Sequence, residues 1–354
     1  MSCTVFLSAF AGRRILVTGH TGFKGSWLCA WLERLGAELT GYSDALPSTP
    51  CHFALLDLRL DDRRGDVADR AALQAVIAEV RPEIVFHLAA QPLVRLAYDD
   101  PIATYRTNVM GTLTLLEAVR AVGGVSALVS ATTDKVYRNR EWVWSYREQD
   151  ELGGSDPYSA SKSCVELMTR SYCESFFGDQ GPAVASVRAG NVIGGGDWAG
   201  DRLVPDLMRA AFAGGELSIR NPASTRPWQH VLDPLCGYLR TGASLLGHDA
   251  PRYDVWNFGP AGQAATPVRR IVEVTQAMLP GLQVSYGEAD ATRHESNILE
   301  LDSSKAIRTL GWQPLWEDAM LERTIAWYQA FYTDGRTLTG EQITAYERDL
   351  AARG

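Results

Sequence analysis

The sequence of 354 residues lacks the features of several specialised protein classes. It has no excess of positive charge: 34 basic and 42 acidic residues give a formal charge of −8, which disfavours nucleic acid or an anionic membrane as the main partner. No apolar stretch approaches the roughly 20 residues that a membrane-spanning helix needs. The six cysteines are scattered without a Cys-x-x-Cys pair, which favours free thiols in a reducing cytoplasm.

Other absences narrow the class further. The apolar first residues, 1–11, lack the basic segment that opens a secretory signal, so we expect a short ordered arm there. There is no internal repeat, no low-complexity linker and no pattern that predicts a metal site. The remaining composition, 46% hydrophobic and 21% charged, is that of an ordinary soluble protein, long enough for two domains.

The first part of the chain alternates between apolar strands and helices. Apolar stretches predict strands at residues 14–18, 38–43, 84–89, 127–131 and 184–188. Helices are predicted at 70–79, 101–122 and 157–177. The last two begin with Asp-Pro, an acidic N-cap followed by proline in the first turn. This alternation predicts a parallel sheet covered on both faces, a doubly wound α/β domain of the Rossmann type.

The character of the sequence changes near residue 190. Glycine and proline become denser, tryptophan and arginine recur, and long loops separate helices predicted at 204–213, 267–279 and 318–332. We therefore expect residues 1–189 to form a dinucleotide-binding domain and residues 190–354 a smaller substrate-binding lobe, since loops on a rigid scaffold carry recognition. The apolar segment 228–245 is expected to pack back on the first domain.

A glycine-rich turn follows the first predicted strand. Gly19, Gly22 and Gly25 have the spacing G-x-x-G-x-x-G, and glycines at this place let the backbone approach a pyrophosphate at a helix N-terminus. Asp44 lies about 20 residues further on, where a carboxylate can bind a ribose 2′-hydroxyl. No arginine stands beside it to hold a 2′-phosphate, which favours NAD over NADP. A role of Asp44 as an ordinary loop cap is equally open.

Two polar segments carry the candidate chemistry. Residues 132–135, Thr-Thr-Asp-Lys, end the strand predicted at 127–131, so their side chains should emerge at its carboxyl end. Tyr158 and Lys162 are four residues apart, which on a helix places the phenol and the ammonium on one face. Tyr158 would be a base with the cation Lys162 beside it, and Asp134 and Lys135 would be a further acid and base. Oxidation of an alcohol does not need this second pair. The alternatives are an ordinary helical pair and an exposed loop pair.

Together these segments resemble the extended short-chain dehydrogenase/reductase family. The resemblance rests on TGHTGFKGSWL (18–28), HLAAQPLVR (87–95), TNVMGT (107–112), TTDKVY (132–137), DPYSASKSCVEL (156–167), RAGNVIGGGDW (188–198) and RPWQHVL (226–232). Within the family, the motifs are similar to the nucleotide-sugar 4,6-dehydratases. Lys135 stands where the enzymes for dTDP-glucose carry glutamate, which favours the branch that acts on CDP-glucose.

The resemblance implies an NAD-dependent loss of water from CDP-glucose. The product, CDP-4-keto-6-deoxyglucose, would serve deoxysugar synthesis for cell-surface polysaccharide such as the lipopolysaccharide O-antigen. Tyr158 is expected to take the proton of the sugar 4-hydroxyl with the help of Lys162, because a phenol of pKa about 10 is a poor base alone. Thr133 would orient that oxygen. Asp134 is then the acid for the departing 6-hydroxyl, and Lys135 the candidate base at C5.

The resemblance also assigns binding residues. Asn108 would hold a water that relays the proton through Lys162, and Asp66 would accept a hydrogen bond from the adenine amino group. The other expected cofactor contacts are Thr21, Phe23, Val67, Leu88, Ala89 and Ala90. The expected substrate contacts are Gln91, Arg188, Asn191, Arg202, Arg226 and Arg293, since the planar fork of arginine suits a pyrophosphate. For each arginine a surface ion pair is the alternative.

Two other functions stay open at this point. A nucleotide-sugar epimerase of the same scaffold needs Tyr158, Lys162 and NAD, but it has no use for an acid at C6, so Asp134 separates the two. A non-catalytic dinucleotide-binding protein would be expected to have lost the tyrosine or the lysine, and both are present. The helices predicted at 101–122 and 157–177 resemble the pair that forms a four-helix interface in the family, which predicts a homodimer or homotetramer.

Overall fold

The structure, a computed structural model, describes residues 4–178, 181–219, 221–247, 250–260, 266–287 and 299–353. Its centre is a sheet of seven parallel strands: β1 (Arg14–Thr18), β2 (Glu38–Ser43), β3 (Asp61–Arg64), β4 (Ile84–His87), β5 (Ala127–Ala131), β6 (Ala183–Ala189) and β7 (Tyr253–Phe258). Their order in the sheet is β7-β6-β5-β4-β1-β2-β3. The strand order reverses between β1 and β4, the place where doubly wound sheets open a crevice for a ligand.

Both faces of this sheet are buried, which explains the unbroken apolar strands. Ile15 and Val17 of β1 pack into one hydrophobic cluster, whereas Leu16 packs into the other. The same alternation recurs in β4, where Phe86 and Val85 belong to opposite clusters. Successive side chains of a strand point to opposite faces, so the central strands must be apolar on both. The edge strand β3, with the sequence Asp-Asp-Arg-Arg, is instead mostly exposed. The predicted Rossmann-type doubly wound sheet is confirmed.

The described residues form twelve α-helices, some of which cover the sheet while others belong to the second lobe. They are α1 (Phe23–Arg34), α2 (His52–Leu55), α3 (Arg70–Val80), α4 (Val94–Asp99), α5 (Pro101–Tyr105), α6 (Gly111–Val122), α7 (Pro157–Phe176), α8 (Leu203–Ala213), α9 (Leu232–Leu245), α10 (Val268–Met278), α11 (Met320–Asp334) and α12 (Thr339–Ala352). Helices α3, α6 and α7 pack together on one face, and α1 and α9 lie on the other. None of the described helices is long and apolar enough to span a membrane.

Local sequence signals set several helix starts. Asp100 caps α5 by accepting a hydrogen bond from the Ala103 N–H at 2.9 Å, and Asp156 caps α7 through the Ser159 N–H at 3.0 Å. Both predicted N-caps are therefore confirmed. The helix predicted over 101–122 is interrupted, because Arg106–Met110 forms a π-helical turn between α5 and α6. Such turns are common at functional sites.

The chain after residue 190 divides between the sheet and a second lobe. Strand β7 and helix α9 return to the main sheet, where α9 packs against β5, β6 and β7. The second lobe contains three pairs of short strands: Val192–Ile193 with Gln229–His230, Glu216–Ile219 with Gln283–Tyr286, and Thr225–Arg226 with Thr266–Pro267. The boundary at residue 190 stays a prediction.

Candidate active site

The first turn after β1 forms a cradle that only glycine allows. Gly19 has φ +74°, and a Cβ there would lie 2.5 Å from the backbone nitrogen of Ala89. The turn and the segment after β4 are therefore in close backbone contact. Helix α1 begins after Gly22 without a side-chain cap, and Gly22 and Gly25 line a cavity at this place. The first N–H groups of α1 are thus available to an anion such as a pyrophosphate.

A cavity of about 600 Å³ extends from this cradle along the carboxyl edge of the sheet. Asp44 and Asp66, which follow β2 and β3, line it on one side. Tyr158 and Lys162 line it beside the end of β5. Since neighbouring strands are about 4.8 Å apart, β3 and β5 are separated by roughly 19 Å. The cavity is therefore long enough for an extended dinucleotide.

The predicted cofactor residues fit this interpretation. All of the following line the cavity: Gly19, Thr21, Gly22, Phe23, Gly25, Asp44, Asp66, Val67, Leu88, Ala89, Ala90, Tyr158 and Lys162. The Asp44 carboxylate accepts a 2.7 Å hydrogen bond from the Ala45 N–H, so it caps its own loop while it faces the cavity. Asp66 is ion-paired with Arg106 at 2.5 Å. Within the described part of the chain, no group of His, Cys, Asp or Glu side chains could hold a metal ion.

Tyr158 and Lys162 project from the first turns of α7 toward the end of β5. The Lys162 ammonium donates a 3.1 Å hydrogen bond to the Ala131 carbonyl. Burial raises the pKa of Tyr158 to about 12, opposed by its hydrogen bond with Thr133 and by the charge of Arg202. Burial lowers the pKa of Lys162 to about 7, assisted by the charge of Lys24. The protein's own side chains thus leave the phenol protonated, whereas Lys162 can gain or lose a proton near neutral pH.

Thr133 and Asp134 lie directly after β5. Thr133 begins the short 3₁₀ turn Asp134–Val136, and its hydroxyl donates a 3.0 Å hydrogen bond to Oδ1 of Asp134. Burial raises the pKa of Asp134, although the charges of Lys135 and Arg226 oppose this. The second carboxyl oxygen, Oδ2, is buried without a hydrogen-bond partner among the described residues. A buried carboxyl group with a raised pKa is suited to donate a proton.

A second cavity of about 340 Å³ adjoins the first. Pro92, Asp197 and Arg202 line both of them. Lys135, Asn191 and Arg226 line the second cavity together with residues of α8. The Arg202 guanidinium donates a 2.7 Å hydrogen bond to Asp197, which fixes it between the two spaces. Arg293, the remaining predicted arginine, lies outside the described residues.

Gln91 and Asn108, two of the expected contact residues, form hydrogen bonds at the wall of the first cavity. The Gln91 side chain donates to the Thr104 hydroxyl at 2.9 Å, and it lines the cofactor cavity. Asn108 lies in the π-helical turn, where its amide accepts from the Gln91 N–H at 2.8 Å and donates to the Ser161 hydroxyl at 2.9 Å. These bonds join the segment after β4 to α7. The substrate contact of Gln91 and the water held by Asn108 stay predictions.

The expected contact of Arg188 with substrate is wrong. Arg188 lies on β6 and is fully buried, and it lines neither cavity. Its guanidinium forms an ion pair with Glu166 of α7 and donates to the Tyr137 hydroxyl at 2.5 Å. The cation is retained in the core because a buried carboxylate and a hydroxyl satisfy its donors.

Sequence reasoning missed Lys24. This residue is the second of α1 and lines the cofactor cavity, where its ammonium donates a 3.3 Å hydrogen bond to the Tyr238 hydroxyl. Burial and, to a smaller extent, the charge of Arg202 lower the pKa of Lys24 to about 8. A signal was available, because Lys24 is the only Lys, Arg, Asp or Glu between Arg14 and Glu33.

Lys162 gives a prediction about stability and pH. Its pKa is about 7 in the folded chain, against about 10.4 in an unfolded one, so unfolding takes up a proton between these values. The free energy of unfolding of the ligand-free wild type should therefore rise with pH relative to Lys162→Met, by about 1.4 kcal/mol per unit from about pH 8 to pH 9.5. Lys24 is present in both proteins and cancels. Urea unfolding at several pH values measures the difference; parallel curves would contradict the burial of a titrating Lys162.

Comparison with known proteins agrees with this geometry. The model of the NAD dependent epimerase/dehydratase family matches residues 15–249. The CDP-glucose 4,6-dehydratase of Salmonella typhimurium is 49% identical over 90% of this chain and 91% of its own length. A UDP-glucose 4-epimerase of Rhizobium leguminosarum is 28% identical over 90% and 97%.

Among solved structures, the dTDP-glucose 4,6-dehydratase of Streptomyces venezuelae superposes with a TM-score of 0.78 at 26% identity. The match covers 89% of this chain and 97% of that one, and the Streptomyces structure contains NAD and the ligand TYD. The two chains therefore share their fold over 89% of this chain.

Proposed function

Because the chain belongs to the NAD dependent epimerase/dehydratase family, we propose that it is an NAD-dependent hydro-lyase that converts CDP-glucose to CDP-4-keto-6-deoxyglucose. One structural observation supports dehydration in particular. Asp134, a buried acid with a free carboxyl oxygen, is hydrogen-bonded to Thr133, and the Thr133 hydroxyl in turn lowers the pKa of the adjacent Tyr158 phenol, which burial raises. A proton donor for the sugar 6-hydroxyl therefore lies beside Thr133 and Tyr158, which would bind and deprotonate the sugar 4-hydroxyl. The 49% identity to a CDP-glucose 4,6-dehydratase supports the substrate.

The first cavity would hold NAD, with the pyrophosphate at the N-terminus of α1 and the adenosine beside Asp44 and Asp66. When bound, NAD supplies the acceptor for a hydride from C4 of the sugar and the donor of a hydride to C6. The overall reaction is redox-neutral for this reason. The chain's own residues bind the two ligands and move the protons.

Tyr158, after its own proton has passed through Lys162 to solvent, accepts the proton of the sugar 4-hydroxyl in the first stage, and Thr133 hydrogen-bonds the same oxygen. Burial works against the phenolate, since it raises the pKa of Tyr158 to about 12. Within the chain, the charge of Arg202 lowers the pKa of Tyr158 and so favours the phenolate. A cationic group of a bound ligand would lower this pKa further. Lys162, whose pKa burial lowers to about 7, can pass the proton onward near neutral pH.

The ketone formed at C4 acidifies the proton on C5, so the second stage is an elimination. Asp134 protonates the departing 6-hydroxyl, because burial raises its pKa and keeps a proton available on the carboxyl group. Lys135, which lines the substrate cavity, takes the proton from C5. Asn191, Arg202 and Arg226 line the same cavity and would hold the sugar nucleotide. The destination of the product in cell-surface polysaccharide, including lipopolysaccharide O-antigen, stays a prediction.

The reaction in D₂O tests the function. Purified protein with CDP-glucose should form a 4-keto-6-deoxy product that carries deuterium at C5, because Lys135 exchanges the C5 proton with solvent. Mass spectrometry and proton NMR measure the product. UDP-glucose and dTDP-glucose serve as controls for the selectivity toward the nucleotide base. Recovery of a sugar with its C6 hydroxyl intact and C4 inverted would instead identify an epimerase.

Asp134→Asn separates the two stages. The variant should lose about 10² or more of the rate of water loss, the usual contribution of a general acid. Recovered CDP-glucose should still gain deuterium at C5, since oxidation at C4 and proton removal do not use Asp134. Asp44→Asn, a carboxylate at the other side of the cofactor cavity, should change NAD affinity without changing the ratio of exchange to elimination. Equal loss of exchange and elimination in Asp134→Asn would contradict the role as acid.

We also propose a homodimer through α4, α5 and α7, which pack against one another. Large apolar side chains on α5, α7 and the adjoining turn are exposed outside the two cavities: Ile102, Tyr105, Met110 and Leu167. Ile102 is 81% exposed, and burial in an interface would remove this apolar surface from water. A tetramer would pair two such dimers.

Light scattering should give at least twice the chain mass of 38.8 kDa. Ile102→Lys should shift the mass toward the monomer, because it would bury an unpaired charge at the interface. Val143→Lys is a matched control, since Val143 is 87% exposed on a loop away from these helices. A monomeric wild type, or equal effects of the two substitutions, would refute this interface.

A further inference from the structure

Lys24 has no part in the proton transfers, yet the structure holds it at the reaction site. The sequence contains only four lysines, at positions 24, 135, 162 and 305, and the first three line the two cavities. Lys135 and Lys162 have roles in the reaction proposed above. Lys24 is left as a cation in the wall of the cofactor cavity without an assigned task.

Long-range packing fixes the Lys24 ammonium. Besides its hydrogen bond with the Tyr238 hydroxyl, Nζ lies 5.7 Å from the centre of the Tyr238 ring. Tyr238 is fully buried on α9, the helix that packs under β5 and β6. A surface lysine would keep its ammonium in water at little cost, whereas this ammonium is directed to the end of the cavity beside β5.

Lys24 is a cation without an ion-pair partner among the described residues. Burial lowers the pKa of Lys24, and so does the charge of Arg202; the charge of Lys24 in turn lowers the pKa of Lys162. Two carboxyl groups lie at this end of the cavity: Asp197 is paired with Arg202 at 2.7 Å, and Asp134, whose charge favours the ammonium of Lys24, has its own pKa raised by burial. The protonated Lys24 therefore contributes a positive potential that no ion pair cancels.

Such a potential acts on the redox-active ring of NAD. In the proposed reaction the hydride leaves C4 of the sugar and the proton leaves the hydroxyl group on the same carbon. The nicotinamide must therefore bind at the Tyr158 end of the cavity, which Lys24 also lines. This ring is cationic when oxidised and neutral when reduced. A fixed cation nearby disfavours the oxidised form and leaves the reduced form almost unaffected.

We propose that Lys24 tunes the redox balance of the bound cofactor through its charge, by weakening the binding of NAD relative to NADH. The assignment rests on the proposed function for the identity of the reacting carbon. It favours removal of hydride from C4, in which two electrons leave the sugar with the hydride and the hydroxyl proton passes to Tyr158. The same two electrons return at C6, so no outside oxidant is needed. Lys24 acts through the positive charge that it places near the nicotinamide, and it does not touch the reacting atoms.

Binding of the two cofactor forms without sugar nucleotide tests this role. A unit charge about 10 Å away in a medium of effective dielectric constant about 20 changes a binding ratio about tenfold. In Lys24→Met the ratio of the dissociation constants, Kd(NAD)/Kd(NADH), should therefore fall about tenfold. The midpoint potential of the bound couple should fall by about 30 mV. Titration calorimetry and NADH fluorescence give both constants for each protein.

Matched variants separate charge from packing. Lys24→Arg keeps the charge, and Tyr238→Phe keeps the lysine while it removes the hydroxyl, so both should hold the ratio within about threefold of wild type. Lys24→Gln removes the charge but retains a hydrogen-bond donor for Tyr238, and it should behave like Lys24→Met; it replaces Lys24→Met if thermal melting shows that the methionine variant does not fold.

An equal loss of affinity for both forms would overturn the proposal in favour of a pyrophosphate contact. An unchanged Kd(NAD)/Kd(NADH) in both neutral variants would show that Lys24 only contributes to packing. A rise of this ratio would show that its charge favours NAD, contrary to the proposal. Because no sugar nucleotide is present, these outcomes are independent of whether the protein dehydrates CDP-glucose.

Discussion

The pairing of β4 with β1 on one side and with β5 on the other is the constraint on which the site depends. Thr18 lies opposite His87, and His87 lies opposite Ser130, so the three parallel strands end at the same edge. A buried chain of hydrogen bonds reinforces this register, from Thr18 to His87 at 2.6 Å and from His87 to Thr112 at 2.9 Å. The glycine cradle, the wall after β4 and the acid after β5 thereby meet in one cleft.

Burial at this edge prepares the chemistry at the expense of stability. The same loss of water raises the pKa of Tyr158 and Asp134 and lowers the pKa of Lys24 and Lys162. Each shift means that the charged form is disfavoured in the folded chain. Burial thus favours the neutral forms of the acid Asp134 and of the base Lys162 together, while the pKa values of Tyr158 and Lys162 move apart, to about 12 and about 7. A surface cluster of the same residues would keep ordinary pKa values and could not hold an acid in its protonated form beside a base.

Local signals predicted most of the fold, whereas contacts between distant residues escaped prediction. Apolar stretches predicted the bounds of β1 and β5, since a strand buried on both faces is mostly apolar, and the predicted bounds of β2 were also correct. The glycine spacing likewise indicated the cofactor cavity. Arg188 was assigned wrongly because its partner Glu166 lies on another element, 22 residues away. Lys24 was missed because Tyr238, which directs it, is 214 residues further along the chain.

The central claim is that one site combines oxidation at C4 with protonation of the leaving group at C6. A crystal structure of the Tyr158→Phe variant with NAD and CDP-glucose tests it most directly, because the substitution slows turnover while it keeps the shape of the site. The account predicts the sugar 4-oxygen beside the Thr133 hydroxyl and the 6-oxygen about 3 Å from Oδ2 of Asp134. A sugar that places its 4-oxygen at Thr133 but turns C6 away from Asp134 would contradict it.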